Sequence, residues 1–346
     1  MVKVVRYILF PFSVLYGLIV AFRNFLFDKK VLKSSEFDVK TILVGNLSAG
    51  GTGKTPHVEY LIRLLQDENK IATLSRGYGR KTLGFQKASG KSTAQDIGDE
   101  PLQFYNKFPD ISVFVDAKRV NGVITIMSKE EVPDIVILDD AFQHRAIKAG
   151  FSILLTDYNS PFFKDFMLPT GNLREFSSGR KRADIIIVTK CPEFLSAQEL
   201  QKIENRIKPL SSQQLFFSKI KYGELRGVHN SAELDFEEID KAVLVTGIAN
   251  PKPLVHFLHD KKLDFVHQQF PDHHDFTKKN IQNIITTFDN IRSENKYIVT
   301  TEKDAMRLMS HKELEQYPIF YLGIEVEIID KINEFDKLIK NYVREN

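Results

Sequence analysis

The segment Thr41-Ile-Leu-Val-Gly-Asn-Leu-Ser-Ala-Gly-Gly-Thr-Gly-Lys-Thr55 constrains this chain more than any other stretch. An apolar, β-rich run passes into a glycine-rich turn that ends in Gly-Lys-Thr, and a helix-compatible stretch follows. Gly50, Gly51 and Gly53 let backbone N–H groups turn inward around phosphate oxygens, where side chains would block the approach. Lys54 is placed to reach the β and γ phosphates of a nucleotide, and the Thr55 hydroxyl to bind Mg²⁺. Pro56 falls in the first helical turn, where a missing N–H costs little. Ser48 stands where the first glycine of such loops is usual. Ser48, Ala49, Gly50, Gly51, Thr52, Gly53, Lys54 and Thr55 are therefore the expected nucleotide-binding loop.

A loop of this kind needs a parallel sheet behind it, and the sequence supplies one. Lys40 to Val44, Ile71 to Leu74, Ile111 to Val115, Ile135 to Leu138, Phe151 to Leu155 and Ile185 to Val188 read as buried strands separated by helical or loop stretches. A charged helix over 197–207 and a strand over 214–221 follow. A second α/β unit has strands over 242–246, 297–300 and 319–321, helices over 253–261 and 277–290, and a closing helix over 330–343. At 346 residues, 42% of them hydrophobic, the chain is long enough for two cores. The expected fold is α/β: a P-loop NTPase-type, mostly parallel sheet, with a second, smaller α/β domain and an N-terminal hydrophobic helix. The expected division is 1–35 for the helix, 36–214 for the P-loop domain and 215–346 for linker strands and the smaller domain. A net charge of +3 is too small to be a nucleic-acid footprint, and the single cysteine, Cys191, fits a reducing compartment. No nucleic acid and no obligatory protein partner are expected.

The N-terminus is unlike the rest. Tyr7 to Phe22 is uncharged and mostly apolar, with Lys3 and Arg6 before it and Arg23, Lys29 and Lys30 after it. A helix over that run would reach about 24 Å, short of the ~30 Å hydrocarbon core, and Pro11 and Gly17 weaken it further. No small-residue cleavage site follows. The segment reads as an anchor dipping into a membrane surface through residues 4–27, with basic flanks for anionic headgroups. A spanning helix and a helix buried on its own domain are the alternatives.

Carboxylates gather where the strands end. Ile135-Val-Ile-Leu-Asp-Asp140 delivers two acids to the place where Mg²⁺ and a triphosphate would lie; adjacent residues alternate, so one of Asp139 and Asp140 faces the metal and the other a neighbouring group. Gly98-Asp-Glu-Pro101 looks by itself like an ordinary helix start, with Asp99 as its cap. His273 and His274 lack further ligands at zinc-like spacing, so a histidine paired with an acid from the other domain is the better reading. Arg76, Arg80, Arg119, Arg174, Arg180, Lys181 and Arg182 follow strands or lie in connecting loops, which suggests an anionic substrate.

These blocks together resemble the lipid A 4'-kinase family. The residues that carry the likeness are the basic, hydrophobic N-terminus, Val44 to Pro56, Leu74-Ser-Arg-Gly-Tyr-Gly-Arg80, Gly98 to Pro101 and Val115-Asp-Ala-Lys-Arg119. It continues through Leu138-Asp-Asp-Ala-Phe-Gln-His-Arg145, Leu168-Pro-Thr-Gly-Asn-Leu-Arg-Glu175, Thr246-Gly-Ile-Ala-Asn-Pro251, Asp272-His-His274 and Thr300-Thr-Glu-Lys-Asp304. Ala141 stands where the family would have glycine. The resemblance implies an enzyme at the cytoplasmic face of the bacterial inner membrane, with ATP and Mg²⁺, that phosphorylates the 4'-hydroxyl of a tetraacyldisaccharide 1-phosphate. It makes Asp99 the candidate base and His273 its partner, gives Glu100, Asp139 and Asp140 to Mg²⁺, and sets Lys54, Arg119 and Arg174 on phosphates or lipid. The competing readings are a membrane-associated P-loop GTPase or ATPase switch and a metallochaperone. Pro192, in Thr189-Lys-Cys-Pro192, stands where a guanine-reading protein needs a carboxylate, and no second lysine opens the loop.

Overall fold

The computed structural model describes Arg6, residues 8–230 and residues 232–345; Lys3, Val4, Val5 and Tyr7 of the expected anchor lie outside the described residues. Among the described residues thirteen strands join into one sheet. In chain order they are β1 (Lys40–Asn46), β2 (Ile71–Ser75), β3 (Gln86–Lys87), β4 (Ser112–Val115), β5 (Ile135–Asp139), β6 (Phe151–Asp157) and β7 (Ile185–Thr189). Then come β8 (Gln214–Gly227), β9 (Glu233–Leu234), β10 (Lys241–Thr246), β11 (Phe265–Gln269), β12 (Lys296–Thr301) and β13 (Ile319–Ile329). Across the sheet the order is β11-β10-β12-β13-β8-β7-β6-β1-β5-β2-β4-β3, with β9 paired on β8.

All neighbours from β4 to β8 are parallel, and so are all from β11 to β13. The two half-sheets meet at one antiparallel seam, β8 against β13, where Phe217 faces Ile329 and Gly227 faces Phe320. β7 holds only the start of β8, Gln214 to Phe217, and β12 only the start of β13, Ile319 to Leu322. Each half-sheet therefore sits at its own end of a two-stranded ribbon and points the carboxyl ends of its strands at the other. Ligands of open parallel sheets bind beyond those ends, so both halves open onto one cleft. Midway, the ribbon shifts register between Leu322 and Ile324, beside Gly223 and Gly323.

Both half-sheets are covered on both faces, which is why their strands read as continuous apolar runs. Ile42, Val44, Ile135 and Ile137 pack with Val58, Leu61 and Ile62 of the helix after the glycine-rich loop, while Leu43, Val136 and Leu138 pack on the opposite face with Val123 and Ile126. The closing helix, Ile332–Arg344, does not stay with the second unit where it was expected. Phe335 and Ile339 bury in the first half's core beside Phe216, and Asp336 accepts from Tyr60 Oη at 2.7 Å.

The N-terminal helix is longer than its apolar run suggested, Phe10–Asp28, and unbroken. Pro11 sits in the first turn, where no N–H is required. Gly17 is used for close approach: a Cβ there would stand 2.7 Å from the Phe176 ring. At 19 residues the helix is about 28 Å long, so by length and composition it is able to cross a membrane. Only Ser13 and Gly17 are buried, which speaks against a helix buried on its own domain. One face docks through Ser13 Oγ to Thr170 Oγ1 (2.7 Å) and Tyr16 Oη to Arg174 O (3.0 Å). The other exposes Phe12, Leu15, Leu18, Ile19 and Phe22.

Candidate active site

The glycine-rich loop is held from beneath at several points. Asn46 Nδ2, at the end of β1, donates to Thr52 Oγ1 (2.8 Å), and Thr189 Oγ1, at the end of β7, donates to Thr52 O (2.8 Å). Ala49 N donates to Asn172 O (2.7 Å), and Ser48 bridges to Leu173. Gly50 and Gly53 have φ of 115° and 86°, conformations that L side chains resist. The helix Lys54–Leu65 starts there, so its first N–H groups face the mouth of the loop. Thr55 lies in that first turn.

The acid pair splits into two environments. Both oxygens of Asp140 are gripped by Arg174, Nη1 to Oδ2 at 3.2 Å and Nη2 to Oδ1 at 2.9 Å, and Lys54 Nζ stands 3.7 Å away. Burial pushes the Asp140 carboxyl up, but Lys54 and Arg174 outweigh it and hold it below the usual range. Asp139 is 1% exposed and its Oδ1 has no hydrogen-bond partner. Burial, then the charges of Glu100 and Asp140, push it up to about 7. A buried carboxylate without a donor is costly unless a cation meets it, so Asp139 suits a metal ligand and Asp140 the neighbouring cations. Among the described residues no three His, Cys, Asp or Glu side chains converge to hold a metal unaided. A Mg²⁺ bound by one or two carboxylates, phosphate oxygens and water needs no such cluster.

Arg119 stands behind the acids rather than on the cleft surface. It is 2% exposed and donates through Nη1 to Asp116 O (2.8 Å) and through Nη2 to Asp139 O (3.3 Å). Burial pushes it down to about 10, so it remains a cation that braces the turn carrying both carboxylates. Arg180 and Arg182 are also committed elsewhere, Arg180 to Ile207 O and Lys208 O, Arg182 to Glu175.

Asp99 belongs to the same half as the loop, but it is held from the facing half. The helix Asp99–Lys107 is capped by Gly98, not by Asp99 as its sequence suggested. Gly98 has φ of 94°, and a Cβ there would meet Tyr78 O at 3.0 Å, so the turn admits only glycine without strain. The Asp99 side chain is thereby free to cross to the second half, where Oδ2 accepts from His273 Nδ1 (3.2 Å), Arg307 Nε (2.9 Å) and Arg307 Nη2. Lys303 Nζ donates to His273 Nε2 (3.0 Å). Arg307 Nη2 lies 3.3 Å from His273 Nδ1, so both ring nitrogens sit beside cations of the same helix. Burial pushes Asp99 up, but the bonds from His273 and Arg307 and the charges of Arg307 and Lys303 bring it to about 2. Glu100, next in the chain, faces Lys303 Nζ at 3.5 Å.

A family model described as Tetraacyldisaccharide-1-P 4'-kinase matches residues 5–344. The chain belongs to this family. The tetraacyldisaccharide 4'-kinase of Flavobacterium johnsoniae is 47% identical over 345 residues, 99% of each chain. That of Bacteroides thetaiotaomicron is 46% identical over 359 residues, 98% of this chain and 93% of its own. A crystal structure of LpxK from Aquifex aeolicus in complex with ATP superposes with a TM-score of 0.78 and 30% identity, over 98% of this chain and 99% of that one. The α/β fold expected from the sequence, an ATP-dependent kinase of the 4'-kinase family, is the fold observed.

For a 4'-kinase, the sequence reading left several residues at the site without a role. Asn46 joins the loop to Arg174, whose Nη2 reaches Asn46 Oδ1. Lys303 lies inside the motif Thr300 to Asp304, and Arg307, one turn further on the same helix, lies outside it. Their i, i+4 spacing was the available signal, but on a charged helix that spacing more often marks a solvated face.

Proposed function

We propose that this kinase transfers the γ-phosphate of ATP to the 4'-hydroxyl of a tetraacylated glucosamine disaccharide 1-phosphate, forming lipid IVA in lipid A biosynthesis, at the cytoplasmic face of the inner membrane. The observation that carries the reading is the meeting of two half-sheets over one cleft. Lys54 and the Asp139–Asp140 pair stand on one side, and a carboxylate, Asp99, is gripped from the other side by His273 and Arg307, with Lys303 behind His273 and beside Glu100.

The loop's backbone N–H groups and the helix N-terminus cradle the phosphates, and Lys54 neutralises charge on the transferring group. Asp99 is aimed at the sugar hydroxyl, whose proton it accepts as the oxygen attacks phosphorus; the bond to the β-phosphate oxygen breaks and ADP leaves. His273, whose Nδ1 stands 3.2 Å from Asp99 Oδ2, steadies Asp99. Asp139 and the Thr55 hydroxyl, with Glu100 nearby, fit Mg²⁺, which when bound would screen the β and γ oxygens. Arg174 fixes Asp140 beside Lys54, and Arg119 braces both acids from behind. In this reading, residues 36–214 and 215–331 form two lobes that close on the substrates.

The exposed apolar face of the N-terminal helix matches a substrate that does not leave the bilayer. Each buried CH₂ is worth about 0.8 kcal/mol, so a disaccharide with four acyl chains has to be met at the membrane. The test is phosphate transfer from γ-labelled ATP to the tetraacyldisaccharide 1-phosphate in detergent micelles. Labelled lipid from the wild type, with losses of about 10²-fold or more in Lys54→Ala and Asp99→Ala, is expected. Nucleotide hydrolysis without labelled lipid would overturn the proposal.

A further inference from the structure

The helix Glu302–Leu308 starts inside the motif Thr300-Thr-Glu-Lys-Asp304, and the chemistry above gives its Arg307 a contact with Asp99 but no task of its own. Two of its buried charges form a pair, Asp304 and Arg307, with side chains 0% and 9% exposed. Asp304 is fixed to the backbone: Oδ2 accepts from Gly247 N (2.8 Å) and Thr301 Oγ1 (2.7 Å). Its Oδ1 accepts from Arg307 Nη1 (3.0 Å), which also reaches Gly247 O (3.4 Å). One edge of the guanidinium is thus locked into the second lobe, and the other edge, Nε and Nη2, closes on Asp99 Oδ2 in the first. Every side-chain hydrogen bond to Asp99 among the described residues goes to Oδ2, and the side chain is 13% exposed.

We infer that Arg307, anchored by Asp304, is the positioning residue that orients the Asp99 carboxylate, holding Oδ2 so that Oδ1 is presented to the acceptor hydroxyl of the lipid. This rests on the reading of Asp99 as the base. A planar guanidinium binding through two nitrogens stops the carboxylate from rotating, which a point charge does not. The same cation weakens Asp99 as a base, and phosphoryl transfer tolerates that. Its transition state is loose, the attacking oxygen needs little activation, and alignment counts for more than basicity. Because Asp304 and Arg307 come from one lobe and Asp99 from the other, the carboxylate is aligned only when the lobes meet.

The experiment is steady-state kinetics of the full chain with ATP and the tetraacyldisaccharide 1-phosphate in micelles, for Arg307→Met, Arg307→Lys, Asp99→Ala and the double variant Asp99→Ala/Arg307→Met. The expected result is a kcat about 10²-fold lower in Arg307→Met with both KM values within about twofold, and partial recovery in Arg307→Lys. In the Asp99→Ala background, Arg307→Met should lower the residual rate no further, because its effect passes through Asp99. A kcat near wild type in Arg307→Met would overturn the inference. So would a further loss in the double variant equal to that in the single one, or a raised KM for ATP at unchanged kcat, either of which marks a phosphate ligand. If Arg307→Met does not fold, Arg307→Lys decides alone: unchanged kcat overturns the inference, and a kcat loss at constant KM supports it. Full activity in Asp99→Ala would be a different failure, that of the base assignment itself.

Discussion

The glycine-rich loop and the Asp99 cluster face the same cleft but are built in opposite ways. The loop is a continuous stretch of chain whose geometry comes from left-handed glycines and from anchors on its own half-sheet, Asn46, Thr189 and Asn172. The Asp99 cluster is an ion-pair network drawn from residues 99, 273, 303 and 307, and it exists only while the two halves touch. On the function proposed above, the first would bind nucleotide without closure and the second would register closure. ATP affinity and phosphate transfer should therefore come apart under mutation.

The largest effect is expected at Lys54. Lys54→Ala should lower kcat/KM for ATP by about 10³-fold, with weakened nucleotide binding as part of the loss. Asp99→Asn should lower kcat by about 10²-fold or more while nucleotide affinity, measured by calorimetry, is unchanged. Equal losses of affinity in both variants would erase the distinction between the two regions. Gly98→Ala tests the same boundary from the backbone. Its strained φ and the contact with Tyr78 O should displace Asp99 and cost about 10²-fold in kcat at unchanged ATP affinity.

The loop was legible in the sequence because its function is written in consecutive residues and in glycine, whose conformational role is local. Six of the seven strands β1 to β7, all but the two-residue β3, were legible for a similar reason: burial on both faces leaves an uninterrupted apolar run. β11 was not, because its residues, Phe-Val-His-Gln-Gln, lie at the sheet's edge and are only partly buried, so no periodic signal survives. The length of β8 and β13 was also missed. Glu224, Glu325 and Glu327 are exposed where the ribbon between the lobes is covered by neither core, and they interrupt the apolar pattern. Arg307 was invisible for the reason that the Asp99 cluster is fragile: its partner is 208 positions away.

A second buried ion cluster sharpens the contrast through stability. Lys107, at the far end of the Asp99 helix, bridges Glu59 on the loop's own helix (2.7 Å) and Glu302 on the second lobe (2.8 Å). Glu59 also accepts from Gln103 (2.7 Å) and pairs with Arg63 (3.3 Å). Lys107→Met would leave two buried carboxylates facing each other and should cost about 3–5 kcal/mol, read from urea unfolding. Replacing all three, with Glu59→Gln and Glu302→Gln added, should recover most of that, since removing a buried cluster whole is often neutral. If the triple variant is as unstable as Lys107→Met, uncompensated charge is not the cause.

The smallest expected effect is a pH dependence carried by Glu302. Two carboxylates share one lysine there: Lys107 is drawn up despite its burial, while burial and then the charge of Glu59 push Glu302 up to about 7. Arg63 and Tyr321 complete the charged and titratable surroundings of Glu302. A carboxyl raised on folding binds its proton more tightly in the native state. Its contribution to stability is therefore fully present below the ordinary glutamate range and is lost as pH rises from about 4.5 to about 7. The stability of the wild type relative to Glu302→Gln should fall across that window and level off above it, measured by urea midpoints at pH 5, 6, 7 and 8. A constant difference would mean that Glu302 stays ionised and that Lys107 neutralises both acids. The loop should register little of this in ATP affinity at pH 6 and pH 8, because Asn46 and Thr189 hold it within its own half. A parallel shift in ATP affinity would show that strain in the lobe contact travels down the Glu59 helix to Lys54, and the loop would then be no more independent of closure than Asp99 is.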